Sequence, residues 1–127
     1  MIRRLAAIAA LSLWPCFAQA QDPAIPVYFE PVKGGEFIRL NKAIQDALSQ
    51  PPLRLETRPN PQAVLISVSG KVDVEHKRIS GDSYSFTIIF SRDGHSLGES
   101  QQNCAADTLS DCADQIVLDA KTAAAPR

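Results

Sequence analysis

Two histidines, three cysteines and no run of like charge longer than two residues leave this 127-residue chain little to offer metal, redox or nucleic-acid chemistry. Its 13 basic residues stand against 14 acidic ones and are scattered along the sequence. A nucleic-acid surface needs a cationic face that displaces counterions from phosphates, and none can be assembled here. The C-x-x-C spacing of zinc ribbons and thiol redox couples is missing,. So are a glycine-rich phosphate loop and a dinucleotide fingerprint, and no cofactor is implied,. No apolar segment reaches the roughly 20 residues that a helix needs to cross a bilayer, so no transmembrane segment is expected.

What the chain does contain begins with an export signal. Residues 1–20, MIRRLAAIAALSLWPCFAQA, set Arg3 and Arg4 before a short apolar run and close on Ala18-Gln19-Ala20. A positive start, an apolar middle and an A-x-A end make a secretory signal peptide, with cleavage expected after Ala20 and a periplasmic destination. Cys16 follows Trp14 and Pro15. Those residues depart from the aliphatic and small pair that precedes a lipidated cysteine, so a lipoprotein anchored through Cys16 is not expected. Loss of Arg3 and Arg4 leaves 11 of the 13 basic residues against all 14 acidic ones. Cys104 and Cys112 also remain, and an even pair in an exported chain reads as a disulfide.

The rest divides into a leader at residues 21–34, one domain at 35–122 and a frayed tail at 123–127. The leader is broken by prolines and holds a possible short strand at 27–30. After Gly34-Gly35, the residues Phe37, Leu40, Ile44, Ala47 and Leu48 recur at helical spacing until Pro51 stops the run,. The opposite face, Arg39, Lys42, Gln45 and Asp46, is left to solvent. A short strand is expected at 53–57. From Val64, every second residue through Ile66, Val68, Gly70, Val72, Val74 and His76 shares one face. Parity does not slip at Gly70, so one long strand is expected, with a bend or close approach at the glycine.

Tyr84, Phe86, Ile88 and Phe90 bring the chain back on one apolar face, and Asp93-Gly94 makes a second hairpin turn because both residues tolerate positive φ,. The strand after it, about 95–102, is polar and is expected at a sheet edge. Thr108 is placed to cap a final helix, with Asp111 three residues on,. Leu109, Cys112, Ala113, Ile116, Val117 and Ala120 form its apolar stripe,. Cys104 and Cys112 within one continuous helix would lie about 12 Å apart, too far to bridge, so Cys104 must precede the helix. The fold class is α+β with the order β-α-β-β-β-β-α. Two amphipathic helices should pack on one face of a mostly antiparallel sheet of four to five strands, as a two-layer sandwich.

One catalytic pattern is present. Gly94-His95-Ser96-Leu97-Gly98 matches G-x-S-x-G. That elbow needs a serine between a buried parallel strand and a helix, with the partner histidine later in the chain. Ser96 follows a hairpin turn, and His76 and His95 both precede it. A small hydrolase using Ser96 is therefore a remote alternative, and no enzyme is expected. A small-ligand or metal carrier using His76 and His95 is the nearer alternative, although no third ligand stands at a suggestive spacing. Asp73 and Glu75 form a polar strand face with Lys71 and Lys77, which a solvated surface explains better than a pair of catalytic carboxylates,.

A helix "EFIRLNKAIQDAL", a strand "AVLISVSGKVDVE", a hairpin "YSFTIIFSRDGHSLGE" and a closing helix together resemble the small α/β domains of bacterial envelope accessory proteins. The amino-terminal domain of TolB and the curli-secretion protein CsgG are of this type. The resemblance implies protein-protein contact with another envelope protein and no catalysis. The surface expected to carry that contact is the polar edge strand with His95, Leu97, Glu99 and Gln101, because an uncovered edge can accept another strand.

Overall fold

The computed structural model describes residues 23–79 and 81–126. The expected signal peptide, its cleavage site and Cys16 lie outside the described residues. Five strands follow: β1 (Ile25–Phe29), β2 (Leu53–Leu55), β3 (Val64–Lys77), β4 (Gly81–Arg92) and β5 (His95–Ala105). Helix α1 (Ile38–Leu48) lies between β1 and β2, and α2 (Leu109–Ala124) follows β5. Each helix is entered through a 3₁₀ turn, Gly35–Phe37 and Ala106–Thr108. The element order β-α-β-β-β-β-α is the expected one.

The strands lie in the order β2-β1-β3-β4-β5. Because α1 carries the chain back over the sheet, β2 re-enters parallel to β1, and β1 is also parallel to β3,. The two hairpins make β3, β4 and β5 antiparallel over their full lengths. The sheet is therefore mixed, with its longer pairings antiparallel.

Leu40, Ile44 and Leu48 bury the stripe of α1, and Lys42 pairs with Asp46 at 3.0 Å on its wet face. Leu109, Ala113, Ile116, Ala120 and Ala123 bury the stripe of α2. Both stripes join Val27, Phe29, Val64, Ile66, Tyr84, Phe86, Ile88 and Phe90 in one core cluster. The helices thus share one face of the sheet, and the contact between Phe37 and Tyr84 is edge-on, with ring centroids 6.0 Å apart,.

Some local expectations shift. The first strand is Ile25–Phe29, not 27–30, and Glu30 is exposed. Thr108 is the N-cap residue, but its side chain makes no capping bond because the preceding 3₁₀ turn already engages the chain there. Helix α2 runs to Ala124, past the expected domain end at 122, because Ala123 continues the three-four spacing of its buried stripe. Gly70 has φ +73° and sits in a bulge: Ser69 is opposite Thr87 while Asp73 is opposite Ser85. Strand β3 thus spends three residues where β4 spends one. Two extra residues are an even number, so Val68 and Val72 stay on the same face and the unbroken parity is real.

Candidate binding edges

Asp93 (φ 50°) and Gly94 (φ 82°) both have positive φ, the requirement of a two-residue turn matched to the twist of a hairpin,. They deliver β5 to the end of the sheet, where its outer side has no neighbour among the described residues. A bulge then interrupts it. Ser96 is opposite Ser91 and Gly98 is opposite Phe90, so Leu97 is the extra residue, and Gly98 takes φ 143°. One extra residue reverses parity. Leu97 packs against the core on the helix side. Glu99 and Gln101, opposite Ile89 and Thr87, lie on the face that carries no helix. His95, opposite Arg92, is on the helix side. The four edge residues read from the sequence are all on β5 but do not form a single stripe.

The backbone tells which groups of this edge face outward. Glu30 donates its N–H to the Ile66 carbonyl at 2.9 Å, so the backbone groups of Ile66 point to β1 and those of Leu65 and Ser67 point to β4,. Carried across the registers, Ile88 and Phe90 bond with Ser100 and Gly98. The N–H and C=O of Glu99, Gln101 and Asn103 therefore point away from the sheet.

Beneath this edge is a polar bridge that the sequence reading missed. Gln102 is buried on the helix side and donates through Nε2 to Ser100 Oγ and to Asp119 Oδ2, each at 2.9 Å. Gln115 Nε2 donates to Asp119 Oδ1 at 3.1 Å. Parity along the strand did not mark it, because the one-residue bulge at Leu97 lies between the strand's leucine and Gln102,. At the strand's end, Cys104 and Cys112 form the expected disulfide, with Cα atoms 5.3 Å apart. It ties β5 to the first turn of α2, and Cys104 lies in β5, outside the helix as required.

The other candidate residues do not converge. His76 is opposite Asp82 at the start of β4, with Nδ1 2.7 Å from its carboxylate. His95 is opposite Arg92 at the far end of the same strand. Ten residue steps of β4 separate these positions, about 34 Å of strand, so the two histidines cannot share one ion,. Among the described residues, no three His, Cys, Asp or Glu side chains are grouped to hold a metal. Ser96 is exposed and is followed by strand, not by the helix of a nucleophile elbow,. Glu75 pairs with Lys77 at 3.5 Å on an exposed strand face. No described helix is long and apolar enough to cross a membrane.

A second edge lies on the other side of the sheet. Strand β1 stops pairing after Phe29, whereas β3 continues to Lys77. The lane that β1 would have continued is an open groove of about 820 Å³. Residues 30–33, Glu36 and Phe37 form one wall, and β3 from Val68 to Val74 forms the other. Asn41 of α1 holds the first wall back: its Oδ1 accepts the Val32 N–H at 2.9 Å and its Nδ2 donates to the Val32 carbonyl at 2.8 Å. A side-chain amide thereby replaces the bonds that a strand neighbour would have made.

No family model and no curated protein matches the chain. Among solved structures, a minor lipoprotein from Acinetobacter baumannii is similar at 13% identity, covering 74% of this chain and 90% of that one, with a TM-score of 0.40. What defines this protein is its own architecture, a two-layer α+β domain with an eleven-residue edge strand and a vacant lane beside β3.

Proposed function

We propose that this chain is an exported, non-enzymatic binding module of the bacterial cell envelope that contacts another envelope protein by strand addition at β5. The observation that carries the reading is the edge itself. Its eleven residues, HSLGESQQNCA, contain no proline and no lysine, two of the usual guards against pairing, and beyond the bulge at Leu97 they present the backbone of Glu99, Gln101 and Asn103 outward,. The buried Gln102–Asp119 bridge and the disulfide hold this edge in one shape from beneath, so a partner meets a preformed strand,. The envelope destination rests on the export signal in residues 1–20.

The test uses a photo-cross-linking residue at position 101 in cells, compared with Gln101→Pro. Proline there removes an outward N–H and no bond to β4, so the fold should survive. A discrete protein adduct that forms with the cross-linker, together with loss of that partner on co-purification of Gln101→Pro, is the expected result. Absence of any adduct from intact periplasm would sink the proposal.

A further inference from the structure

We propose that the lane beside β3 is a second strand-accepting site, which takes an extended cationic segment of five to seven residues, an estimate from the roughly 3.3 Å rise per residue along Val68 to Val74. The inference goes beyond the β5 reading, and its variants lie on a different strand.

Residues two apart in a strand direct their N–H and C=O to the same side, so Val68 follows Ile66 in facing the lane. The bulge adds an even number of residues, and Asp73 and Glu75 pair toward β4 opposite Ser85 and Ser83. Val74 and His76 therefore face the lane as well. Among the described residues, none of these groups has a backbone partner on that side. These outward donors and acceptors, Val68 before the bulge and Val74 and His76 after it, are matched by one ligand chemistry, an extended polypeptide backbone that bends with the strand,.

The side chains add a pattern. Val68, Val72 and Val74 have helix-side parity and, with Phe37 and Val32, line the groove. An occupant would turn alternate small apolar residues toward them and polar residues outward. The rim carries Glu30, Glu36 and Asp73 against Lys33 and Lys71. None of these five makes an ion pair or a side-chain hydrogen bond among the described residues. Three unpaired carboxylates against two ammonium groups favour a segment with Lys or Arg.

The lane is also kept open. Because Asn41 satisfies both backbone groups of Val32, that residue has no unmet bond that would draw it back to β3,. The bulge at Gly70 interrupts the row of outward groups, which disfavours indiscriminate edge pairing and requires an occupant that fits the bend,.

The experiment selects random nine-residue peptides displayed on phage against the protein purified from periplasm. The strongest is then measured as a synthetic peptide by fluorescence anisotropy. Selected sequences should alternate small apolar with polar residues and contain Lys or Arg. Val74→Pro, which removes a lane-facing N–H, should weaken binding by about tenfold or more, the scale of a lost backbone hydrogen bond or two. Gln101→Pro on β5 should bind unchanged. Should Val74→Pro fail to fold, hydrogen exchange on the wild-type protein decides, with slowing at Val68, Val74 and His76 on peptide binding as the supporting result. Peptides without alternation, undiminished binding by a folded Val74→Pro, no slowing at those amides, or self-association that peptide does not compete with would each overturn the proposal.

Discussion

Reducing the Cys104–Cys112 bond removes one cross-link and leaves every other atom in place, so its effect can be calculated from the chain alone. The cysteines are eight residues apart. In the chain-entropy model, closing a loop of that size lowers the entropy of the unfolded state by about 8.3 cal/mol/K, or about 2.5 kcal/mol at 25 °C. Cys104 is 1% exposed, so its thiol stays in the core and the transfer contribution is retained. For a urea slope near 1.2 kcal/mol/M, the unfolding midpoint should fall by about 2 M when the protein is held in a non-thiol reductant. The slope itself should stay nearly constant. Hydrogen exchange should locate the local part of the loss: the amides of Gln102 and Cys104, which face β4, should exchange faster, while Ile66 and Phe90, far along the sheet, should change only with global stability,. A midpoint shift below about 0.3 M would refute the reasoning, because it would mean that the cross-link constrains nothing the fold does not already hold.

Ile88, fully buried in the core cluster and opposite Val68, should cost about 2–5 kcal/mol when changed to alanine, measured by urea unfolding,. Ile79, fully exposed, should stay within about 0.5 kcal/mol in the same assay,. Asn41→Ala strips two partly buried backbone groups of their partners and should lose about 1–3 kcal/mol,. Ser96→Ala should leave stability unchanged, and neither it nor the parent should turn over an activated ester, as a colorimetric assay would show. Saturating Zn²⁺ should not raise the melting temperature, since a carrier would be stabilised by mass action.

Much of the fold could be read from residue spacing because spacing reports directly on which side of an element is wet. Leu40, Ile44 and Leu48 mark one face of α1, and Val64, Ile66, Val72 and Val74 mark one face of β3,. The two cysteines could not bridge within one helix, and Cys104 lies in β5, ahead of α2. Bulges behaved differently. At Gly70 the extra residues are two and parity survived, whereas at Leu97 there is one, and it moved Leu97 and Glu99 to opposite faces. A period-two pattern cannot count unpaired residues, because the count is set by the partner strand.

By itself, then, the sequence determined the identity and polarity of the elements, the hairpin turn at Asp93-Gly94 and the disulfide pairing. Each depends on residues within one or two turns of each other, or on hard limits of backbone geometry. The polar strand after that turn was expected at an edge and is one; the tertiary structure alone decided the order of the other strands. It brought Val32 within reach of Asn41, set Gln102 against Asp119, parted the histidines along β4 and left β3 longer than the β1 beside it. Those outcomes depend on strand order and on unequal strand lengths, which arise when distant segments pack on one core.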